Sequence, residues 1–160
     1  MIASMLTTSL STPIGELQLF GDGHSLTRID LPGRHGPVGD AVEDRGAFAE
    51  PVDQLERYFA GELREFDLTL APEGGEFDLA VWGELARIPY GQTTSYGTVA
   101  AAIGHPDSPR AVGAANGRNP IPIVVPCHRV IGAGGKLVGY GGGLETKRRL
   151  LELESGVNRL

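Results

Sequence analysis

Residues 119–132 read Asn-Pro-Ile-Pro-Ile-Val-Val-Pro-Cys-His-Arg-Val-Ile-Gly. Pro120, Pro122 and Pro126 remove backbone donors and exclude a helix, while Ile121, Ile123, Val124 and Val125 form an apolar run expected to be buried extended chain. Cys127, the sole cysteine of the 160-residue chain, leaves that run directly after a proline; His128 stands beside it, and Val130 and Ile131 resume the run before Gly132. A lone thiol in such a frame is either a small core hydrophobe or a nucleophile with its base at hand. Consecutive side chains on a strand point to opposite faces, so Cys127 and His128 touch only across a bend, and a bridging water is the expected link. A carboxylate behind His128 would hold the imidazole in the right tautomer, and spacing leaves Glu145, Glu152 and Glu154 open for that place. Arg129 is read as structural, pointing away from the partners of Cys127.

Downstream, Gly132-Ala133-Gly134-Gly135 and Gly139-Tyr140-Gly141-Gly142-Gly143 bracket Lys136-Leu137-Val138. The stretch is either a flexible loop or a pocket wall where backbone amides approach a ligand; it lacks the lysine spacing of a P-loop. A final helix is expected from about Leu144 to Glu154, burying Leu150, Leu151 and Leu153 in part and stopping near Gly156.

Upstream, Phe77, Val81, Trp82 and Leu85 share a helical face that Pro89-Tyr90-Gly91 closes. Thr94 is expected to cap a helix to about Ile103, and Gly104-His105-Pro106 turns the chain into another from about Pro109 to Asn116. Two short helices around a glycine-containing turn fit a helix-turn-helix, and equally a helical hairpin in a core. Ala111, Gly113, Ala114 and Ala115 leave the second helix slim, suited to tight core packing or to a groove; a DNA minor groove is only ~6 Å wide.

Ala71-Pro72-Glu73-Gly74-Gly75 reads as a linker. Before it, short strands are expected at Met5–Ser11, Glu16–Phe20 and Ser25–Leu31, a loop at 32–46, a helix from about Pro51 to the stop at Gly61 and a strand at Phe66–Leu70. The domains are accordingly drawn as 1–74 and 75–160.

Charge follows the same division. Residues 1–82 carry five Lys/Arg against fifteen Asp/Glu and residues 83–160 nine against five, so an acidic first half precedes a basic second half within a net charge of -6. That distribution is expected if only the second half meets phosphate. One cysteine forms no internal disulfide, and four scattered histidines offer no metal-ligand spacing. No apolar run is long enough to span a bilayer and the opening residues lack the pattern of a signal peptide, so a cytoplasmic protein without membrane association is expected.

Pro126-Cys127-His128-Arg129-Val130-Ile131-Gly132, with Asn116-Gly117-Arg118-Asn119-Pro120 before it and Gly139-Tyr140-Gly141-Gly142-Gly143-Leu144 after it, resembles the O6-alkylguanine-DNA alkyltransferases, the methylated-DNA:protein-cysteine methyltransferases. The likeness extends upstream through Phe77–Trp82, Ile88–Gly91, Thr94–Tyr96 and Arg110–Gly113. It implies an α/β (α+β) fold in which a small RNase H-like sheet-plus-helix domain precedes a winged helix-turn-helix catalytic domain. It also implies irreversible, single-use transfer of the alkyl group from O6-alkylguanine, and from O4-alkylthymine, in double-stranded DNA to Cys127, by a monomer without metal or organic cofactor.

In that pattern Cys127 is the acceptor, His128 its base through water, and Glu154 the carboxylate behind His128. Tyr96 protonates the departing guanine, and Asn119 ties the recognition helix to the cysteine segment. Backbone groups of Cys127, Val130 and Gly141 read the base beside the wall Tyr140. Arg110 fills the vacated stack, and Ala111, Gly113, Ala114, Asn116 and Arg118 belong to the DNA-contacting helix. Asp78 stands where the family usually has Gln, a difference read as minor, and Gly141 where some members have Ser. Two other readings carry their own predictions. A non-catalytic winged-helix DNA binder or alkylation-damage sensor would be indifferent to Cys127→Ser, and a Cys-His-Glu hydrolase would turn over repeatedly.

Overall fold

A computed structural model describes residues 5–156; the opening residues 1–4, on which the expected absence of a leader partly rests, and residues 157–160 lie outside it. Strands β1 (Leu6–Thr12) and β2 (Gly15–Gly21) form an antiparallel hairpin in which Thr12 opposes Gly15 across Pro13-Ile14. Gly15 takes φ +119°, a conformation that L side chains rarely adopt. β3 (Leu26–Asp30) pairs antiparallel with β2, and a two-residue strand β4 (Val42–Glu43) pairs parallel with β1, giving the order β3-β2-β1-β4. Alternation puts Leu17 and Leu19 on the buried face, where α1 (Ala49–Phe59) lays Val52, Leu55, Tyr58 and Phe59 against the core.

Two expectations for this half change. The loop at 32–46 contains β4, whose pairing with the sheet edge is made by backbone groups and needs no apolar signature. Phe66–Leu70 is not a strand: it runs beside β3 through one bridge, Leu26 to Leu70, with Leu26 N donating to Thr69 O at 2.9 Å.

The second half is helical. α2 (Glu76–Leu85), α3 (Tyr96–Ala102) and α4 (Pro109–Gly117) pack on one another, and Trp82 Nε1 donates to Ala115 O at 2.8 Å to join α2 to α4. The cap of α3 is Ser95 rather than Thr94: Ser95 Oγ accepts from Thr98 N at 3.1 Å. Thr94 and Ser95 form β5, which pairs parallel with β6 (Val130–Ile131). α5 (Leu144–Ser155) ends at Gly156, in the left-handed conformation at φ +76°.

Buried side chains of both halves form one continuous cluster. Backbone and side chains also cross between them: Ile29 N in β3 donates to Pro120 O at 2.8 Å, and Arg149 Nη2 in α5 donates to Pro13 O at 2.9 Å.

Candidate active site

The apolar run ahead of Cys127 is buried but not extended. Val125 N donates back to Ile121 O at 2.9 Å, and Ile123 takes φ +76°, the one non-glycine positive φ among the described residues. A β-branched residue in that region is unfavourable and persists only where neighbours over-determine it. Asn119 does so: its Oδ1 accepts from Ile121 N at 3.0 Å and its Nδ2 donates to Val125 O at 2.8 Å. The tight turn delivers Pro126 and then a 3-10 turn, Cys127–Arg129, in place of the expected strand.

That 3-10 turn redistributes the three side chains. Cys127 lies against a cavity of about 420 Å³, while His128 and Arg129 both reach α5. His128 is fully buried and its Nε2 lies 2.7 Å from Glu154 Oε2. A carboxylate accepts only, so Nε2 carries the proton in this contact and Nδ1, buried without a protein partner, is left as the basic nitrogen. Arg129 does not point away from this machinery. Its Nε donates to Glu154 Oε1 at 2.7 Å, Nη2 to Oε2 at 3.0 Å and Nη1 to Ile88 O at 2.7 Å. The planar fork thereby fixes the carboxylate that holds His128.

Among the three glutamates left open by spacing, Glu154 is thus the one facing inward; Glu145 and Glu152 pair with Arg148 at the surface. Burial alone would raise the pKa of Glu154, but hydrogen bonds and charge from His128 and Arg129 bring it down to about 2. Burial pushes the Cys127 thiol up to about 11, against the opposing pull of the Asn119 side chain and the charge of Lys147.

Two further groups join the site that no sequence motif marks for it. Tyr58 in α1 donates from its hydroxyl to Glu154 Oε2 at 2.6 Å. Lys147 in α5 is buried, and its Nζ donates to Val130 O at 2.7 Å, Val138 O at 2.9 Å and Gly139 O at 3.3 Å, stitching the glycine-rich loop to β6.

The cavity brings together Tyr96, Asn119, Cys127, Tyr140 and Gly141 with Leu31 and Arg34 from the first half. Tyr96 is half-buried, and its hydroxyl donates to Val138 O at 3.1 Å. The glycine-rich stretch therefore serves as a wall.

Residues 5–72 match the 6-O-methylguanine DNA methyltransferase ribonuclease-like domain, and residues 76–156 the DNA binding domain of the same proteins. The methylated-DNA--protein-cysteine methyltransferase of Mycobacterium tuberculosis is 55% identical over 148 residues, spanning 91% of this chain and 90% of that protein. The chain belongs to the 6-O-methylguanine DNA methyltransferase family. Its Methanosarcina acetivorans relative of the same description is 53% identical over 146 residues, 89% of this chain and 94% of the other. The crystal structure of the M. tuberculosis O6-methylguanine methyltransferase superposes with a TM-score of 0.90 at 51% identity, over 96% of this chain and 94% of that one. The same organism's OGT in complex with DNA gives 0.89 at 52%, over 96% and 93%.

Against the pattern implied for this methyltransferase family, the residues expected to contact DNA divide into two groups. Arg110, Ala111, Ala114 and Arg118 are exposed along α4, whose opposite side buries Val112 and Ala115. Gly113 and Asn116 instead face the cavity; a Cβ on Gly113 would lie 3.7 Å from the Tyr96 ring, and Asn116 Nδ2 donates to Cys127 O at 3.4 Å. Asn116 is buried, so it acts on the cysteine turn rather than on an outer face. Arg118 is held by Asp78, with Nη2 2.7 Å from Oδ1. Val130 is fully buried and is not among the cavity-lining residues; its N–H donates to Cys127 O and its carbonyl accepts from Lys147.

Proposed function

We propose that this chain repairs DNA directly, by taking the alkyl group of an O6-alkylguanine onto Cys127 in a single irreversible event. The observation that carries the reading is a lone buried thiol at a cavity, next to an imidazole whose second nitrogen is bound to a buried carboxylate.

Chemistry assigns each neighbour a task. A thiol titrating near 11 is a weak nucleophile at neutral pH, so a base must take its proton as the bond forms. His128 Nδ1 is the basic nitrogen available, with a water carrying the proton from Sγ. The sulfur–carbon bond forms as the carbon–O6 bond breaks, and guanine departs with a proton from Tyr96, whose hydroxyl exchanges its contact with Val138 O for the base. Asn119 holds the turn that presents Cys127, and Tyr140 and Gly141 wall the base. Alanine and glycine positions on α4 let that helix approach a groove, and Arg110 at its start replaces the extruded base in the stack. O4-alkylthymine, with the same alkyl-oxygen linkage, is a second substrate. The protein is monomeric in solution and acts on cytoplasmic DNA.

The test uses duplex DNA bearing O6-methylguanine with a labelled methyl group. One equivalent of label per protein on Cys127, abolished in Cys127→Ser with DNA binding retained, is the expected result. Label elsewhere, or more than one turnover per molecule, would refute the reading.

A further inference from the structure

We infer that Tyr58, in the first helix of the N-terminal half, is a positioning residue for alkyl transfer, acting through Glu154 on His128. The inference rests on the reading of Cys127 as the acceptor.

Glu154 receives donors from several elements. Arg129 reaches both oxygens, and His128 Nε2 and the Tyr58 hydroxyl both reach Oε2, at 2.7 and 2.6 Å. Tyr58 is wholly buried, packed edge-on to Phe59 and Tyr90 and tilted on Phe66, so its ring has no room to leave. Arg129 fixes the plane of the carboxylate; Tyr58 approaches from a different element and blocks rotation of Oε2 away from His128. With Oε2 fixed, the proton stays on Nε2 and Nδ1 stays free for the thiol's proton. Burial and the neighbouring Glu154 charge raise the phenol's pKa far above its ordinary value, so it remains a donor throughout the working range. Tyr140 is a further titratable group whose charge bears on both Tyr58 and Glu154.

This assigns the N-terminal half a role in the chemistry. Its α1 contributes a hydrogen bond to the relay across 96 residues of sequence, and Tyr58 lies outside the cysteine motif and outside the cavity.

The experiment compares single-turnover rates of methyl transfer from O6-methylguanine in duplex DNA for the wild type, Tyr58→Phe, Glu154→Gln and the double variant, across pH. Wild-type transfer to Cys127 establishes the underlying reaction; without it the functional reading fails, whatever Tyr58 does. Given transfer, Tyr58→Phe is expected to react about tenfold more slowly, the loss of one charge-assisted hydrogen bond, with DNA affinity unchanged. The same substitution in the Glu154→Gln background is expected to change the rate by less than about twofold, because the route through the carboxylate is already broken. Removing a donor leaves more charge on Glu154 for His128, so the acid limb of the pH–rate profile moves up in Tyr58→Phe. A difluorotyrosine at position 58 keeps ring and oxygen but donates more strongly, and moves that limb down; it also serves if Tyr58→Phe folds poorly. An unchanged rate in Tyr58→Phe, a loss of equal size in both backgrounds, or a pH limb that moves in neither variant would overturn the proposal.

Discussion

Arg118 and Asp78 form a two-pronged ion pair across the outer ends of α4 and α2, with Nη2 2.7 Å from Oδ1 and Nε 3.1 Å from Oδ2. One of the exposed cations of the helix proposed to face DNA is thus matched by a carboxylate from its own fold. Asp78→Asn frees the guanidinium and removes a negative charge from the face. Affinity for undamaged duplex DNA is expected to rise about three- to tenfold near physiological salt, and the salt slope to steepen by about one. Binding titrations at several salt concentrations check this, and an unchanged slope would mean that Arg118 does not meet phosphate.

Glu154 gives the fold a defined acid sensitivity. Its pKa lies at about 2 in the folded protein against an ordinary 4.5, so the stabilisation is complete above the ordinary value and is lost as pH falls through 4.5 towards 2. The contribution at neutral pH is on the order of 3 kcal/mol. Glu154→Gln is expected to be less stable than the wild type at neutral pH, with Arg129 left as a buried unpaired cation, and the gap is expected to narrow near pH 3. Denaturant unfolding of both proteins at the two pH values measures the gap; a constant gap would contradict the assignment.

The thiol makes a kinetic prediction. Because burial holds Cys127 up to about 11, its reaction with a small neutral alkylating agent such as iodoacetamide is expected to accelerate about tenfold per pH unit between about pH 7 and pH 9. A plateau near neutrality would reveal a preformed thiolate–imidazolium pair instead.

Lys147 ties the pocket wall to β6 through three carbonyl oxygens. Lys147→Met keeps the stem's volume but strands those acceptors, at an expected cost of about 2–4 kcal/mol. The loop at 136–143 is then expected to become the first site of limited proteolysis, which mass spectrometry of the fragments would locate; protection of that loop in the variant would argue against the tether.

The helices and main strands were legible from local features: apolar spacing for α2 and α5, Pro109 and glycine punctuation for α4, alternation in Leu17 and Leu19 for β2. Local pattern misleads where backbone geometry overrides side-chain alternation. Phe66–Leu70 alternates but pairs at one point, and Val42–Glu43 shows no alternation but pairs through its backbone. A strand at residues 127–129 would carry Arg129 to the opposite side from His128; the 3-10 turn brings both to the same carboxylate.

By itself, the sequence determined that one thiol has an imidazole beside it in a proline-braced frame, that a slim helix precedes it and that a glutamate-bearing helix follows, because these depend on neighbours within a few turns of chain. Tertiary structure alone decided that Arg129 and Tyr58 share Glu154 with His128, that Asn116 turns to the cysteine segment, and that Asp78 holds Arg118. Those contacts join residues 11 to 96 positions apart. No local pattern encodes them, since each forms only when sheet, helices and turns close on the common core.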